Sequence, residues 1–208
     1  MKLRLLFQRG KVDAEIDRVY ESQRDGNVVS LIHLLDSDVR GLTQYSIVRS
    51  HAAGALGMLG DPRAIPYLIE KRHDPEEIVR IEVMMALSRF TTKETEAALS
   101  EGLRDPAAVV RMTAASALGR IGAVDAIPLL RGALASDPDP DVRFRAVESL
   151  VILGDESARD RVPEALRALP RDRLNHQRYR RLREAAASGE PLTPWVPAAT
   201  RKRNPRSR

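Results

Sequence analysis

The chain contains no cysteine, which excludes disulfides and thiol chemistry and fits a reducing compartment. No stretch approaches the roughly 20 apolar residues needed to span a bilayer. The opening run, Met1-Lys2-Leu3-Arg4-Leu5-Leu6-Phe7-Gln8-Arg9, is broken by charge and is followed by no small-residue cleavage pattern, so it does not read as a signal peptide. The expectation is a soluble, cytoplasmic protein. Trp195 is the only tryptophan and stands among prolines, where it reads as a short docking motif or an unstructured aromatic. The four histidines, His33, His51, His73 and His176, fall in different segments, with no His-Glu-x-x-His and no Ser/His/Asp set. No catalytic, metal-ligating or cofactor-binding residue is therefore expected.

What the chain does have is a period. Asp105-Pro106, Val110-Arg111, Ala114-Ala115-Ser116-Ala117-Leu118-Gly119, Gly122 and Ile127-Pro128-Leu129-Leu130 form its clearest copy. Thirty-one residues earlier stand Asp74-Pro75, Val79-Arg80 and Ala86-Leu87, and 31 before that Val48-Arg49, Ala52-Ala53, Gly60 and Ile65-Pro66-Tyr67-Leu68. Thirty-two later come Asp137-Pro138, Val142-Arg143, Leu150 and Gly154. A fixed period of this size signals a solenoid, because one unit cannot bury its apolar face alone and must stack on its neighbours.

Each unit reads as two helices. Val110, Ala114, Ala117, Leu118 and Ile121 share one stripe of a 3.6-residue helix, and Gly122 suits a left-handed C-cap. Asp125 is the expected N-cap of the second helix, with Pro128 in its first turn and Leu130 and Leu134 inward. Asp74, Asp105 and Asp137 each precede an arginine by six residues, Arg80, Arg111 and Arg143, which predicts a structural Asp/Arg ladder along the stack.

This pattern resembles the HEAT repeats of the kind first described in phycobilin lyase subunits, over about Leu42 to Leu169. The second unit departs from it, with Thr91 and Glu96 in place of Gly122 and Ile127, and the first lacks an Asp-Pro before Arg49. The resemblance implies an all-α, right-handed α-solenoid of about five HEAT-like helix pairs, and it leaves function open because one solenoid hosts many roles. HEAT-like deoxyhypusine hydroxylases bind iron through paired His-Glu steps, and this chain contains no His-Glu dipeptide. HEAT-like alkylpurine glycosylases rely on aromatics lining a basic groove, whereas the repeat body here is acidic.

The expected organisation is a cap over 1–41, repeats over 42–169, a C-terminal helix over 172–187 and a disordered Pro/Arg-rich tail over 188–208. The cap pairs a polar helix, Asp13 to Arg24 with Ile16, Val19 and Tyr20 inward, with a second helix carrying Val28, Leu31, Leu34 and Leu35. An insertion of about three residues is expected in Asp36-Ser37-Asp38-Val39-Arg40. Charge divides unevenly, with 20 basic and 24 acidic residues up to position 158 against 14 and 5 after it. Arg178, Arg180, Arg181, Arg183, Arg201, Lys202 and Arg203 form a basic C-terminal patch open to an acidic protein or to nucleic acid.

Two local matches read as structure. Gly54-x-x-Gly57-x-x-Gly60 has no preceding strand and departs from dinucleotide spacing, and Asp137, Asp139, Asp141 and Glu148 lack the glycine that a calcium loop needs, where Val142 stands. The remaining candidate is a surface. Second helices of such solenoids line the concave side, where His33, Tyr67, Ala98 and Leu129 align beside Asp36, Glu70, Glu101 and Gly132. His33, Tyr67, Glu70, Lys71, Arg72 and Glu101 are the expected partner-binding residues. The leading expectation is a non-catalytic protein-binding scaffold. A bilin lyase or chaperone-like subunit for a chromoprotein is implied by the resemblance alone, and the Arg-rich end leaves a nucleic-acid-associated protein as a third reading.

Overall fold

The computed structural model describes residues 2–37, 45–168, 176–189 and 192. Every regular element among them is helical. The helices are α1 (Lys2–Arg24), α2 (Val28–Leu35), α3 (Tyr45–Leu59), α4 (Ile65–Glu70), α5 (Glu77–Leu87), α6 (Lys93–Gly102), α7 (Ala108–Ile121), α8 (Ile127–Ser136), α9 (Pro140–Ile152), α10 (Glu156–Arg159), α11 (Val162–Arg167) and α12 (His176–Ser188). First helices pack on first helices, α3 on α5, α5 on α7 and α7 on α9, and second helices pack on the next first helix, α2 on α3, α6 on α7 and α8 on α9. The described residues thus form an all-α solenoid of five helix pairs, α1/α2 through α9/α11, closed by α12.

Alanine and glycine let the first helices of neighbouring pairs approach closely. In α7, Val110, Ala114, Ala117 and Leu118 are buried as the period requires, with Ala115 and Gly119 joining them, and Ile121 is half-buried against the core. A Cβ added to Gly57 in α3 would lie 2.6 Å from the Ala86 Cα in α5, and one added to Gly119 in α7 would lie 2.5 Å from the Ser149 Oγ in α9. Those two glycines set the distance between helix axes. A different set of glycines ends helices: Gly26, Gly60, Gly122 and Gly154 all have positive φ, between 68° and 80°, at matching points of the repeat. The unit with Thr91 instead of glycine reverses by another route. Phe90 tucks into the core, and Thr92 and Thr95 form a reciprocal capping box for α6.

The structure corrects several expectations. Helix α1 begins at Lys2, not Asp13, because helix-favouring leucine, lysine and arginine residues carry the chain through the single Gly10. Tyr20 is not inward but 54% exposed, its ring edge-on to His51 at 5.9 Å. Val12 and Val19, seven residues apart, define the buried face instead. Asp125 does not cap the second helix of its pair. The chain enters α8 through a 3-10 turn over Val124–Ala126, and the Asp125 carboxylate turns outward to Lys93, 2.5 Å away. The N-cap position of this turn is held by Ala123; its counterpart in an earlier unit is Asp61, which does cap its turn, accepting from the Arg63 N–H at 2.9 Å.

The expected insertion around Asp38, and Leu42, fall outside the described residues. Helix α12 is described from His176, so the predicted start at Asp172 also lies outside them, and its C-terminal end at Ser188 is one residue beyond expectation. Within the segment expected to be a free tail, Leu192 is buried in the core cluster.

Candidate functional site

The recurring Asp and Arg residues form a ladder whose pairing crosses from one repeat to the next. Arg49 holds Asp74 through Nε and Nη2 at 2.8 and 3.0 Å, Arg80 holds Asp105 at the same distances, and so does Arg111 with Asp137. Each guanidinium reaches forward to the following loop's carboxylate, not back to the aspartate six residues before it. What it takes from its own loop is backbone: Arg80 Nη1 donates to the Asp74 carbonyl at 2.9 Å, and Arg111 Nη1 to that of Asp105 at 2.9 Å. Arg49, with no Asp-Pro before it, uses the Ser37 carbonyl at 3.4 Å. Each aspartate also accepts from the N–H two residues on, as Asp105 does from Ala107 at 2.8 Å, so it folds its loop and ties it to the preceding repeat.

The ladder ends differently. Arg143 donates to the carbonyls of Asp137 and Pro138 at 2.7 and 3.1 Å, and Asp155, the N-cap of α10, is held by Arg131 from α8. Arg131 holds the Asp155 carboxyl below its ordinary range. Burial pushes the Asp137 carboxyl up, but the Arg111 guanidinium and the Asp139 N–H outweigh it, and the net direction is down. These carboxylates are committed to structure. The other acidic residues of the calcium-like pattern are too, since Asp139 caps α9 and Glu148 is buried beside Arg145.

On the second-helix side, His33, Tyr67 and Glu70 are exposed. Lys71 reaches across to Asp36 at 2.6 Å, and Arg72 to Glu101 at 2.7 Å, so three of the expected partner-binding residues, Lys71, Arg72 and Glu101, are tied in ion pairs between repeats. The aligned row is interrupted, because Ala98 is buried at 4% exposure while Tyr67 and Leu129 stay open. A short side chain at this position sinks beneath its longer neighbours.

At the C-terminal ends of the second helices, three grooves follow one another along the solenoid. The first, about 290 Å³, lies between Arg72 and His73 on one side and Glu101, Gly102 and Arg104 on the other, with Met84 in its lining. The next, about 340 Å³, is bounded by Leu103 and Arg104, then Leu129, Gly132 and Ala133. The third, about 280 Å³, lies between Leu134 of α8 and Ala158 of α10, beside the Arg131–Asp155 pair. Sequence reasoning found Arg72 and Glu101 but missed Arg104, which lines two grooves. Its signal is a break in the period, since the residues in the same place directly before Asp74 and Asp137 are His73 and Ser136.

Of the basic patch, Arg180 is engaged with Glu184 at 2.7 Å, Arg181 is half-buried and Arg183 is exposed. The Arg178 side chain, Arg201, Lys202, Arg203 and Trp195 lie outside the described residues. No helix among the described residues is long and apolar enough to cross a membrane.

The sequence pattern of HEAT repeats matches residues 68–151 and 96–189, and that of the PBS lyase HEAT-like repeat matches residues 48–71. The chain belongs to the HEAT-repeat family. No curated protein matches it. Among solved structures it is similar to an engineered protein, at 21% identity over 87% of this chain and 92% of that one, with a TM-score of 0.52. It is also similar to a chain from the complex of CpcE and CpcF of phycocyanin lyase from Nostoc sp. PCC7120, at 23% identity, 81% and 84% coverage and a TM-score of 0.45. Human deoxyhypusine hydroxylase in complex with glycerol shares 19% identity over 86% of this chain and 79% of that one, with a TM-score of 0.39. These likenesses are of fold alone.

Proposed function

We propose that this HEAT solenoid is a non-catalytic protein-binding scaffold of the cytoplasm, and that it binds through the face formed by its second helices and the loops after them. The observation that carries this reading is the series of three grooves repeated at successive unit boundaries along one edge. Such a series offers an extended partner several equivalent footholds, whereas the carboxylates beside it are occupied in the ladder. His33, Tyr67, Glu70 and Glu101 supply the exposed side chains of this face, with the half-buried Lys71 and Arg72 beside them.

The test is affinity capture from the native host's lysate with the intact chain, Tyr67→Ala combined with Glu101→Lys, and a chain lacking residues 188–208. Nuclease-treated parallels complete the set. Proteins retained by the intact and shortened chains but lost by the double variant support the scaffold. An unchanged capture profile for the double variant refutes it, and capture that nuclease abolishes moves function to the basic C-terminal end.

A further inference from the structure

Arg104 differs from every other arginine around the first two grooves in having nothing to hold. Arg72 is paired with Glu101, and the groove-lining Asp105 and Asp137 are taken by Arg80 and Arg111. Arg104 is exposed, and among the described residues its guanidinium makes no hydrogen bond or ion pair. It stands on the ridge between the two grooves and lines both. The floor on one side is Met84, a thioether that adapts its shape to what it packs against. On the other side Leu103, Leu129 and Ala133 offer a branched apolar wall.

An unpaired guanidinium between two part-apolar clefts selects its occupant by charge. A carboxylate meets its planar fork with two parallel hydrogen bonds, and the flanking clefts take side chains without polar ends. The span between the clefts is one repeat, about 10 Å between packed helices. An extended chain of polyproline-II type advances about 3.1 Å per residue with about three residues per turn, so it covers that span in about three residues and brings side chains three apart onto one face. A helix advances about 1.5 Å per residue and needs about seven.

We infer that this edge binds an extended peptide segment of a partner protein in which an aspartate or glutamate lies between two apolar side chains about three residues apart, the carboxylate on Arg104 and the apolar groups in the two grooves. This rests on the protein-binding reading above and names the chemistry of the partner. Its occupant is neither the chain's own basic end, whose arginines repel Arg104, nor nucleic acid, whose phosphates can pair with an arginine but which brings no apolar side chains to fill the two clefts.

The experiment is to pan a displayed library of random 12-residue peptides against the full chain, then to measure fluorescein-labelled synthetic copies of the enriched peptides by fluorescence polarisation. The proteins compared are the unaltered chain, Arg104→Glu, Arg104→Lys, Gly132→Leu and Tyr67→Ala. Gly132 is a clean blocking site, because a Cβ placed there meets nothing within 4 Å and a larger side chain enters the groove without touching the core. The expected result is enrichment of apolar-acidic-apolar windows of about four residues. Their affinity should fall about tenfold or more with Arg104→Glu, less with Arg104→Lys, and clearly with Gly132→Leu, while melting stays unchanged for Arg104→Glu.

Absence of enrichment overturns the inference, and so do binders without a carboxylate, binders indifferent to Arg104→Glu, or an apolar spacing near seven. Such binders that still weaken with Tyr67→Ala leave the scaffold reading standing on other chemistry. The scaffold reading falls by its own route, when lysate capture is indifferent to the Tyr67/Glu101 double variant, an arm that involves neither Arg104 nor any displayed peptide.

Discussion

The same substitution, glycine to alanine inside a helix, should have opposite effects at two positions of this chain. In α8, Gly132 faces open space, so Gly132→Ala gains only the reduced backbone entropy cost of alanine, about 0.5–1 kcal/mol of stability. In α3, the alanine Cβ at position 57 would meet the Ala86 Cα at 2.6 Å and its Cβ at 2.8 Å. Carbon atoms rest at about 3.5–4.0 Å, so α3 and α5 must separate by about an ångström along a row of close contacts. Neither Ala86 atom belongs to a flexible side chain that can swing away. Overpacking of this kind costs about 1–3 kcal/mol, and subtracting the same helix gain leaves Gly57→Ala destabilised by up to about 2 kcal/mol. Because the helix gain is common to both, the two variants should differ by the overpacking cost alone, about 1–3 kcal/mol, in urea unfolding followed by helical circular dichroism. In thermal melts that is several degrees, at about 2–4 °C per kcal/mol for a chain of this size. Equal stability of the two variants, or a Gly57→Ala protein more stable than the unaltered chain, would refute the claim that glycine sets the spacing of the first helices.

Asp105→Ala strands the Arg80 guanidinium, whose side chain is 12% exposed, and frees the Ala107 N–H, so it should cost about 3 kcal/mol in urea unfolding; Arg131→Ala strands the Asp155 carboxylate, whose side chain is 2% exposed and which keeps only Ser157, so it too should lower the urea midpoint clearly. The Asp155 carboxyl is held below its ordinary range, so its contribution is present above the unfolded-state value near 4 and is lost as pH falls through the folded value; Asp155→Asn should therefore flatten the acid limb of a stability-pH profile and lower stability at neutral pH. Burial pushes the Glu82 carboxyl up, partly countered by His51, which is the opposite sign: ionisation opposes folding as pH rises through and above the unfolded-state value. Glu82→Gln should accordingly stabilise the chain at pH 7 and leave it nearly unchanged at pH 3, measured by denaturant midpoint at the two pH values.

The elements legible in the sequence are those the repeat fixes many times over. Gly60, Gly122 and Gly154 stand at one point of the period because each must enter left-handed space there, and the Val110 to Leu118 stripe follows from helix geometry alone. What stayed illegible depends on neighbours in the third dimension. Asp125 stands two residues past the N-cap point that Asp61 occupies in its own unit and Ala123 in this one, and its carboxylate points to Lys93 of the adjacent unit. Tyr20 lies in a polar terminal helix whose weak pattern leaves two faces open to choice, and His51 on the next helix gives the ring an outside rest. Ala98 aligns with exposed residues but is too short to rise clear of them. The ladder was visible as recurring Asp and Arg residues, but which repeat each arginine serves is set by stacking, and no spacing within one repeat carries that information.

That distinction separates structure from recognition in a chain of this kind. A residue repeated in register meets the same neighbours in every unit, so its chemistry is spent on holding each unit to the next, as Arg49, Arg80 and Arg111 are spent on Asp74, Asp105 and Asp137. A solenoid made only of such residues would present an identical edge at every boundary and could not fix the register of a bound chain. Register needs a residue that occurs once. Arg104 is such a residue, a free cation where one neighbouring unit has His73 and the other Ser136, and it lies where two grooves meet. Of the cations lining these grooves, Arg72 is neutralised within the fold, so it adds little to the attraction of an acidic partner, and the unpaired one dominates the local field. A partner seated on this edge therefore finds its position from the break in the period, while the repeated ladder beneath keeps the two grooves at the separation that the partner must match.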